Sequence, residues 1–429
     1  MEILLSLSIA LFAGLMLSRL AKLVQLPAVT AYLVAGVLIG PFCLGAFGVE
    51  GLGFTSMESI ENLSLISDVA LGFIAFAIGN EFRLNELKHI GKQATIIGIF
   101  QAVFTTLVVD AVLIGLHFII PDKLPLSAAI VLGAVASATA PAATLMVVRQ
   151  YKAKGPVTST LLPVVALDDA VGLVLFSISF GIAKAIESGS ASIVSIICEP
   201  IIEVVISIGL GALMGYIFTY CERFFHSRSK RLSMSVAFVF FTVAISMLSF
   251  NVGGVHIAFS PLLSCMMLGT IFCNICDFSA ELMDRLDRWT GPMFILFFVL
   301  SGAELDLAIM SDLLIVLIGL VYIVFRCLGK YFGAGISASI SGADDNTRKY
   351  LGITLFPQAG VALGMALKAE ALGPVGAVVA NITLFSVLIY ELVGPFLTKI
   401  ALTKAGEINP EGKTSARNEH HKREHHHHV

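Results

Sequence analysis

The feature that most constrains this chain is a succession of long apolar segments separated by short polar loops. A helix that crosses a bilayer needs about 20 apolar residues, and it satisfies its own backbone hydrogen bonds, which lipid cannot do. Only 13% of the residues are charged, against roughly 25% in soluble domains. The sequence therefore predicts an all-α polytopic membrane protein with about thirteen transmembrane helices, or twelve if the short tenth segment is left out. The predicted spans are residues 3–19, 27–42, 63–80, 93–119, 124–148, 156–184, 191–219, 232–250, 254–273, 290–303, 311–338, 349–368 and 375–398.

The basic residues of the loops predict the orientation of the chain. If the N-terminus is outside, 22 of the 27 Lys and Arg residues lie in cytoplasmic loops or in the C-terminal tail. Only Lys123, Lys184 and Lys368 lie outside, and Arg326 and Lys330 lie within the eleventh span. Because cytoplasmic loops of membrane proteins are enriched in Lys and Arg, we predict a multi-pass protein of the inner (plasma) membrane with a cytoplasmic C-terminus.

Two adjacent carboxylates lie in the middle of the sixth predicted span, in the stretch PVVALDDAVGLVLF at residues 163–176. A charge at the bilayer centre costs at least about 2.5–3.5 kcal/mol, and Asp168 lies roughly 18 Å into its helix. Neighbouring helical residues point about 100° apart, so Asp168 and Asp169 need different partners. The bases Arg326 and Lys330 share one helix face. One aspartate can therefore meet a base while the other faces a water-filled cavity.

Two prolines interrupt long apolar segments and predict broken helices. Pro141 lies in ATAPAATLMVV at residues 138–148, and Pro357 lies in LFPQAGVALGM at residues 355–365. Proline removes an N–H and clashes one turn back, so each should unwind its helix near mid-depth. Within lipid the freed backbone groups must be buried in protein or line a polar cavity.

The two halves of the chain resemble each other, which predicts an internal repeat. FIAFAIGNEF at residues 73–82 is similar to FILFFVLSGAEL at residues 294–305, and the two prolines also occupy matching places. We predict two inverted six-helix repeats, at about 1–186 and 231–400, joined by a linker helix at about 191–221. Paired discontinuous helices that cross at the midplane are typical of secondary transporters.

These residues predict a site for a hard monovalent cation such as Na⁺. Such ions prefer oxygen ligands, which the aspartates, the hydroxyl of Thr139, unwound carbonyl groups and water would supply. An aspartate in this setting is expected to exchange a proton for the cation. The other charged residues within the spans are secondary candidates, some of which a structural ion pair explains equally well: Asp68, Asp110, Glu203, Arg326 and Glu391.

Four motifs together resemble a known family. They are DD in the sixth span, TAPAAT in the fifth, RCLGKYFG at residues 326–333 and FPQAGVALG at residues 356–364. The combination resembles the monovalent cation:proton antiporter superfamily, in its bacterial Na⁺/H⁺ exchanger branch, over about residues 1–400. The adjacent aspartates followed downstream by Gly-Lys-x-x-Gly are the specific part of the resemblance.

The resemblance implies roles for the site residues. It makes Asp169 the principal ligand of Na⁺, pairs Asp168 with Lys330, and places Thr139, Ala140 and Pro141 in one broken helix. The two broken helices cross each other, and the second of them then holds Pro357, Gln358 and Gly360. It also implies a homodimer, an elevator-type movement of the site, and electrogenic exchange of two protons for each Na⁺. Ala140 departs from the family pattern, in which many members carry a polar residue.

Several alternatives stay open from the sequence. A K⁺/H⁺ antiporter would have the same fold, whereas a sodium-coupled symporter of an organic anion would need a larger polar cavity. An ion channel or an enzyme is less consistent with the sequence, because no selectivity-filter loop, nucleotide motif or nucleophile–base pair is evident. Basic residues lie in short loops rather than on one face, so no nucleic-acid partner is expected, and no cofactor is predicted.

Two further segments have simple interpretations. Residues 401–429 are polar and end in HHKREHHHHV, which predicts a disordered cytoplasmic tail, with the histidines either native or left from a purification tag. Cys273 and Cys276 have the spacing of a redox motif, but no second pair accompanies them. We therefore predict buried thiols rather than a redox or metal site.

Overall fold

The computed structural model describes residues 2–24, 26, 28–80, 82–88, 91–189, 193–304, 307–369 and 372–408. Its α-helices are α1 Glu2–Leu23, α2 Ala28–Ile39, α3 Met57–Glu61, α4 Ser64–Asn80, α5 Leu84–Leu87, α6 Gly91–Ile119, α7 Leu126–Val135, α8 Pro141–Gln150, α9 Pro156–Ser188, α10 Ile193–Glu222, α11 Arg228–Ser246, α12 Pro261–Ile275, α13 Ser279–Ala303, α14 Leu313–Ile340, α15 Asp345–Thr354, α16 Gly360–Ala369 and α17 Pro374–Lys404. Two short 3₁₀ helices cover Leu44–Phe47 and Leu307–Ser311, and two strands, β1 Ser249–Val252 and β2 Val255–Ala258, form an antiparallel hairpin.

The helices are those of a multi-pass membrane protein. Within the described residues, eight helical segments are long and apolar enough to cross a bilayer. Three more apolar helices are shorter, at Ser64–Ala77, Leu126–Val135 and Pro261–Ile275. The mostly helical, polytopic architecture agrees with the sequence, while the count of thirteen crossings and the inverted repeat stay predictions.

The fifth and twelfth predicted spans are broken in the structure. Helix α7 ends at Val135, the chain is not helical through Ala140, and α8 begins with Pro141 at its first turn. Proline is favoured there because the first turn of a helix has no acceptor for its N–H. In the same way, α15 ends at Thr354 and α16 begins only at Gly360, after Pro357. Each break therefore lies immediately before or at the proline that predicts it.

Two sequence predictions about helix limits are wrong. The apolar residues at 254–258, predicted as part of a helix, belong to the β-hairpin, because Gly253 and Gly254 adopt positive φ angles of 60° and 84° and form the tight turn that joins two strands. The short span predicted at 290–303 is a 25-residue helix, α13, that begins at Ser279. Charged residues in its first half concealed this start, because they interrupt the apolar run.

The helices are arranged in two bundles. Helices α6–α9 and α14–α17 pack mainly on one another, and α1, α2, α4 and α10–α13 form the second group. Residues of both bundles share one core cluster. From α8, α9 and the residue before α8 it holds Ala140, Ala142, Ala143 and Ala166 together with Leu145 and Leu162, and from α4 and α13 it holds rings that include Phe73 and Phe298. The bundle of α6–α9 and α14–α17 therefore contributes several small side chains to this interface.

The ordered chain extends further than the sequence predicts at its C-terminal end. Helix α17 continues to Lys404, and the carboxylate of Glu407 accepts hydrogen bonds from the backbone N–H of Val157 at 2.6 Å and of Thr158 at 2.8 Å. These are N–H groups of the first turn of α9, which have no acceptor within the helix. The predicted start of a disordered tail at residue 401 is therefore wrong, and the histidine-rich end lies outside the described residues.

Candidate functional site

The centre of the site is a buried ion pair between α9 and α14. The ammonium Nζ of Lys330 lies 2.7 Å from the carboxylate Oδ2 of Asp168, and both side chains are fully buried. The structure thus brings together the first aspartate of the pair and the lysine of the Gly-Lys-x-x-Gly motif. A buried pair of this kind is stable only when further hydrogen bonds satisfy the remaining polar atoms.

Those further hydrogen bonds come from the first broken helix and from α6. Lys330 donates to the backbone carbonyl of Ser137 at 2.5 Å, to the hydroxyl of Thr139 at 3.0 Å and to Oε1 of Gln101 at 2.9 Å. The hydroxyl of Thr139 in turn donates to Asp168. The sequence did not identify Gln101 as a site residue, because its side chain carries no charge. The one feature that could have indicated it is a polar side chain within a long apolar segment.

Asp169 is fully buried, yet neither of its carboxylate oxygens has a hydrogen-bond partner among the described residues. Oδ1 of Asp168 also lacks one. A buried carboxylate without a partner is costly in its charged form, so the site favours a proton or a cation on Asp169. The arrangement therefore presents one free carboxylate beside a carboxylate that is already paired.

The two helix breaks touch each other beside this carboxylate pair. The backbone N–H of Ala140 donates to the carbonyl of Pro357 at 2.8 Å. The amide of Gln358 donates to the carbonyl of Val135 at 2.8 Å and also contacts the hydroxyl of Tyr322. The helices that follow, α8 and α16, begin at Pro141 and Gly360, and the N-terminus of a helix carries a partial positive charge.

Arg326 joins both breaks. Its side chain is fully buried, and its three nitrogens donate to the carbonyl groups of Ala136 at 2.9 Å, Ala138 at 2.6 Å and Phe356 at 2.7 Å. Its guanidinium also lies 4.6 Å from the ring centre of Tyr390. Pairing with Asp68, Asp110 or Glu391, one possibility left by the sequence, is not what the structure shows.

We expect Arg326→Lys to lower the free energy of unfolding by about 1–3 kcal/mol, the cost of a buried polar group left without its partner. Lysine keeps the charge but has a single nitrogen, which cannot replace the planar fork of the guanidinium. Thermal denaturation of the purified protein would measure the loss. Arg348→Lys is the matched control, because Arg348 is an exposed arginine that lies 3.4 Å from Asp345, and it should change little. Equal stabilities of the two variants would contradict the role given to Arg326.

Of the secondary candidates, Arg326 lies at the breaks, whereas Asp110 and Glu203 contact residues outside the pair of Asp168 and Lys330. Oδ1 of Asp110 has no hydrogen-bond partner, and the residue packs so closely on Gly133 that a Cβ there would meet the carboxylate. Glu203 lies 3.6 Å from Lys368, and the two residues form a structural ion pair. Within the described residues, no group of three His, Cys, Asp or Glu side chains could hold a metal. Burial raises the pKa of Cys276 to about 11, so its thiol is protonated at neutral pH.

A cavity of about 1060 Å³ lies between the two bundles, at the end where α2, α9 and α13 begin. It reaches Leu162 and Pro163 of α9, five to six residues before Asp168. The ion pair of Arg149 and Asp287, 2.8 Å apart, joins α8 and α13 at its wall. The cavity thus extends toward the site from this end of the molecule and stops short of the two aspartates, which are fully buried.

Comparison with known proteins gives consistent matches over nearly the whole chain. The model of the family described as sodium/hydrogen exchanger, transmembrane, matches residues 7–404. The high-affinity Na⁺/H⁺ antiporter NhaS3 of Synechocystis sp. is 22% identical over an alignment of 426 residues. The alignment covers 92% of this chain and 88% of that protein. The Na⁺/H⁺ antiporter NhaS4 of the same organism is 22% identical over 412 residues, covering 93% and 96%.

Solved structures show the same fold. The sodium proton antiporter MjNhaP1 from Methanocaldococcus jannaschii, at pH 8, superposes with a TM-score of 0.69 at 18% identity. The match covers 94% of this chain and 99% of that one. A second structure of MjNhaP1, determined by electron microscopy, gives a TM-score of 0.70 at 17% identity, covering 93% and 94%.

Proposed function

This chain belongs to the sodium/hydrogen exchanger family, and we propose that it is a secondary active transporter that exchanges Na⁺, or Li⁺, for H⁺ across the cell membrane. The observation that carries this proposal is Asp169, a fully buried carboxylate without a hydrogen-bond partner among the described residues. It lies beside the pair of Asp168 and Lys330, at the point where two helices are broken. The two Synechocystis relatives, described as Na⁺/H⁺ antiporters, support the same exchange.

Coupling in this proposal follows from competition for one carboxylate. Asp169 binds either a proton or Na⁺, and the other oxygen ligands of the ion come from Oδ1 of Asp168, from backbone carbonyls and from water. Each ion therefore stabilises the site only when the other has left, so exchange needs no separate coupling device. Thr139 positions Asp168, because its hydroxyl donates to Asp168 and accepts from Lys330, and the second lone pair of its oxygen stays available to the ion.

We propose that the exchange is electrogenic, with two protons for each Na⁺. Na⁺ binding at Asp169 displaces the first proton, and its positive charge beside Asp168 weakens the hold of the ion pair on Lys330. The second proton leaves Lys330 or Asp168 when Na⁺ binds and returns after Na⁺ has been released, so two protons move against one Na⁺. The hydrogen bonds from Lys330 to Ser137, Thr139 and Gln101 give the lysine a defined place in both steps.

The proposed movement is of the elevator type. The bundle that contains the site contributes Ala140, Ala142, Ala143 and Ala166 to the core cluster shared with the other bundle, and small side chains oppose sliding less than large interlocking ones. The cavity between the bundles lies at the end where α9 begins, as expected for one of two alternating states. Thirteen crossings in two inverted repeats, with the two broken helices crossing at mid-depth, complete this proposal.

Assembly and orientation are proposed from the surface of the molecule. Helix α1 exposes a row of apolar side chains, among them Leu4, Phe12, Met16 and Leu20. Such a face must contact lipid or a second copy of the chain, which fits a homodimer. The loop charges place the N-terminus outside and the C-terminus in the cytoplasm, so that the cavity described above opens to the cytoplasm.

The test is exchange driven by a pH gradient in proteoliposomes, titrated with Na⁺, Li⁺ and K⁺. We expect proton flux that saturates with Na⁺ or Li⁺ and is absent in choline chloride. With the membrane potential clamped, current should accompany exchange if two protons move for each ion. A response to K⁺ alone would replace the proposed substrate with K⁺, and current that reverses with the Na⁺ gradient alone would contradict obligatory exchange.

A further inference from the structure

Helix α6 approaches the lysine of the site very closely, because two glycines on α14 flank that lysine. Gly329 directly precedes Lys330, and Gly333 follows it by about one turn. A Cβ on Gly333 would lie 3.1 Å from Cα of Gln101, and a Cβ on Gly329 would lie 3.0 Å from Cα of Thr105. Side chains at these two positions would push α6 away. The glycines of the Gly-Lys-x-x-Gly motif therefore allow α6 to place Gln101 beside Lys330.

Helix α6 also packs closely on α9, the helix that carries the two aspartates. A Cβ on Gly98 would lie 3.0 Å from Cβ of Leu167, the residue before Asp168. Gln101 follows Gly98 by about one turn on the same helix, and its side chain is fully buried. The position of Gln101 is therefore fixed by contacts of α6 with both helices of the ion pair, rather than by a loop.

The amide group of Gln101 has a defined orientation. Its Nε2 donates to the backbone carbonyl of Gly98 at 3.2 Å, and its Oε1 accepts from Nζ of Lys330 at 2.9 Å. An ammonium group is only a donor and a carbonyl oxygen is only an acceptor. An amide rotated by half a turn would place like groups against each other on both sides. Both contacts therefore select the orientation that suits Lys330 in its charged form.

The other acceptors of the lysine are the carbonyl of Ser137 at 2.5 Å, Oδ2 of Asp168 at 2.7 Å and the hydroxyl of Thr139 at 3.0 Å. Thr139 is itself hydrogen-bonded to Asp168. A hydrogen bond from a charged donor is roughly twice as strong as one between neutral groups. The contact with Gln101 therefore stabilises Lys330 with its proton more than Lys330 without it.

Few charged or titratable groups face Lys330 in the part of the chain that the structure describes. Those that act on its charge belong to α9 and to its own helix: Asp168, Asp169 and Arg326. Helix α15 places Gly352 against its backbone, and the titratable ring of α17, Tyr390, lies by the guanidinium of Arg326 instead. From α6, Lys330 meets the uncharged Gln101. A change of side chain at residue 101 therefore acts on the proton of Lys330 through one direct contact.

We propose that Gln101 is a positioning residue for the second proton, and that its amide oxygen sets the pH range in which Na⁺ can displace that proton from Lys330. The inference rests on the proposed function, in which a second proton leaves the ion pair. When it leaves, the N–H bond breaks, its electron pair stays on Nζ and the proton passes to water; after Na⁺ has been released, a proton from water returns to Nζ. Because the amide is neutral, it holds the proton less firmly than a carboxylate would.

The test is Na⁺/H⁺ exchange in proteoliposomes, driven by a Na⁺ gradient with equal pH on both sides, for the parent protein, Gln101→Met and Gln101→Glu. At acid pH protons compete with Na⁺, so the acid limb of the pH profile reports how firmly the site holds them. In Gln101→Met the limb should move to lower pH, by about 0.5–1 unit, because the amide acceptor is gone. In Gln101→Glu it should move to higher pH, by about 1 unit or more, because an opposite charge retains the proton. The current for each Na⁺ should fall in Gln101→Glu.

Gln93→Met is the matched control, because it is the same substitution on the same helix, at a residue that contacts the carbonyl of Gly342 at 3.3 Å; its acid limb should stay in place. A purely structural role of Gln101 would lower the rate in both variants without opposite shifts. Gln101→Glu keeps the shape of the side chain, so the result does not depend on the folding of the apolar variant.

The proposal is overturned if the acid limb of either Gln101 variant stays in place, if both limbs move in the same direction, or if Gln93→Met shifts as far as Gln101→Met. An unmoved limb in variants of a parent protein that exchanges Na⁺ for H⁺ overturns this inference alone. Absence of Na⁺-dependent flux in the parent protein overturns the proposed function, and this inference with it.

Discussion

Asp169→Asn should abolish cation-dependent proton flux in proteoliposomes. Asparagine has nearly the same shape but neither takes up a proton nor carries a negative charge, so both competing ions lose their common ligand. We expect a loss larger than the roughly 10-fold to 100-fold that follows when only a supporting partner of an ion ligand is removed. The fold should survive, because neither carboxylate oxygen of Asp169 has a hydrogen-bond partner to lose among the described residues.

Asp110→Asn is the matched control for this variant. Asp110 is also a carboxylate within a long apolar helix, and its Oδ1 likewise lacks a partner, but it packs on Gly133 rather than on the paired residues. Exchange by Asp110→Asn should stay close to that of the parent protein. If proton flux persisted in Asp169→Asn, or fell equally in both variants, the central role of Asp169 would have to be abandoned.

The pair of Asp168 and Lys330 should show strong energetic coupling. Lys330→Met leaves Asp168 buried without its base, and Asp168→Asn leaves Lys330 buried without its acid, so each single variant should lose about 3–5 kcal/mol of stability. The double variant leaves no unpaired charge. It should therefore be more stable than the sum of the two losses predicts, by about 1–3 kcal/mol.

Thermal or denaturant unfolding in detergent, carried out on all four proteins, would measure this coupling. Arg149→Met with Asp287→Asn is a suitable comparison, because that pair lies 2.8 Å apart but is partly exposed at the cavity, and exposed pairs contribute about 0–1 kcal/mol. If the losses of stability at Asp168 and Lys330 were additive, the ion pair would contribute no more to the free energy of unfolding than its separate hydrogen bonds do. The double variant should also lose the proton carrier, so any residual exchange should proceed without current.

Much of the fold follows from local sequence. Runs of about 20 apolar residues lead to helices because lipid offers no partner for a free backbone group, and the long helices α6, α9, α14 and α17 lie where such runs predict them. Pro141 and Pro357 predict the two breaks because proline lacks the N–H that a continuous helix needs. Local patterns did not predict the start of α13, because its first half carries charged residues. They also did not predict the hairpin, because its Gly-Gly turn lies within an apolar run.

The candidate site was only partly predictable for a different reason. The residues alone show that Asp168 and Asp169 need different partners, but which of them meets a base depends on how α9 is rotated against α14. The partners of Arg326 are backbone carbonyl groups, which carry no signal in a sequence. Gln101 enters the site only because α6 packs on α14, with Gly333 close against the backbone of Gln101.

The sequence by itself determined that this protein lies in a membrane, that two adjacent carboxylates lie within one long apolar segment and that two helices break at prolines. These properties depend on composition, spacing and proline, and all three act within one segment. The tertiary structure alone decided that Lys330 pairs with Asp168 and that Arg326 donates hydrogen bonds to the carbonyl groups of both breaks. Such contacts join segments far apart in the chain, and the rotation and axial position of packed helices select them.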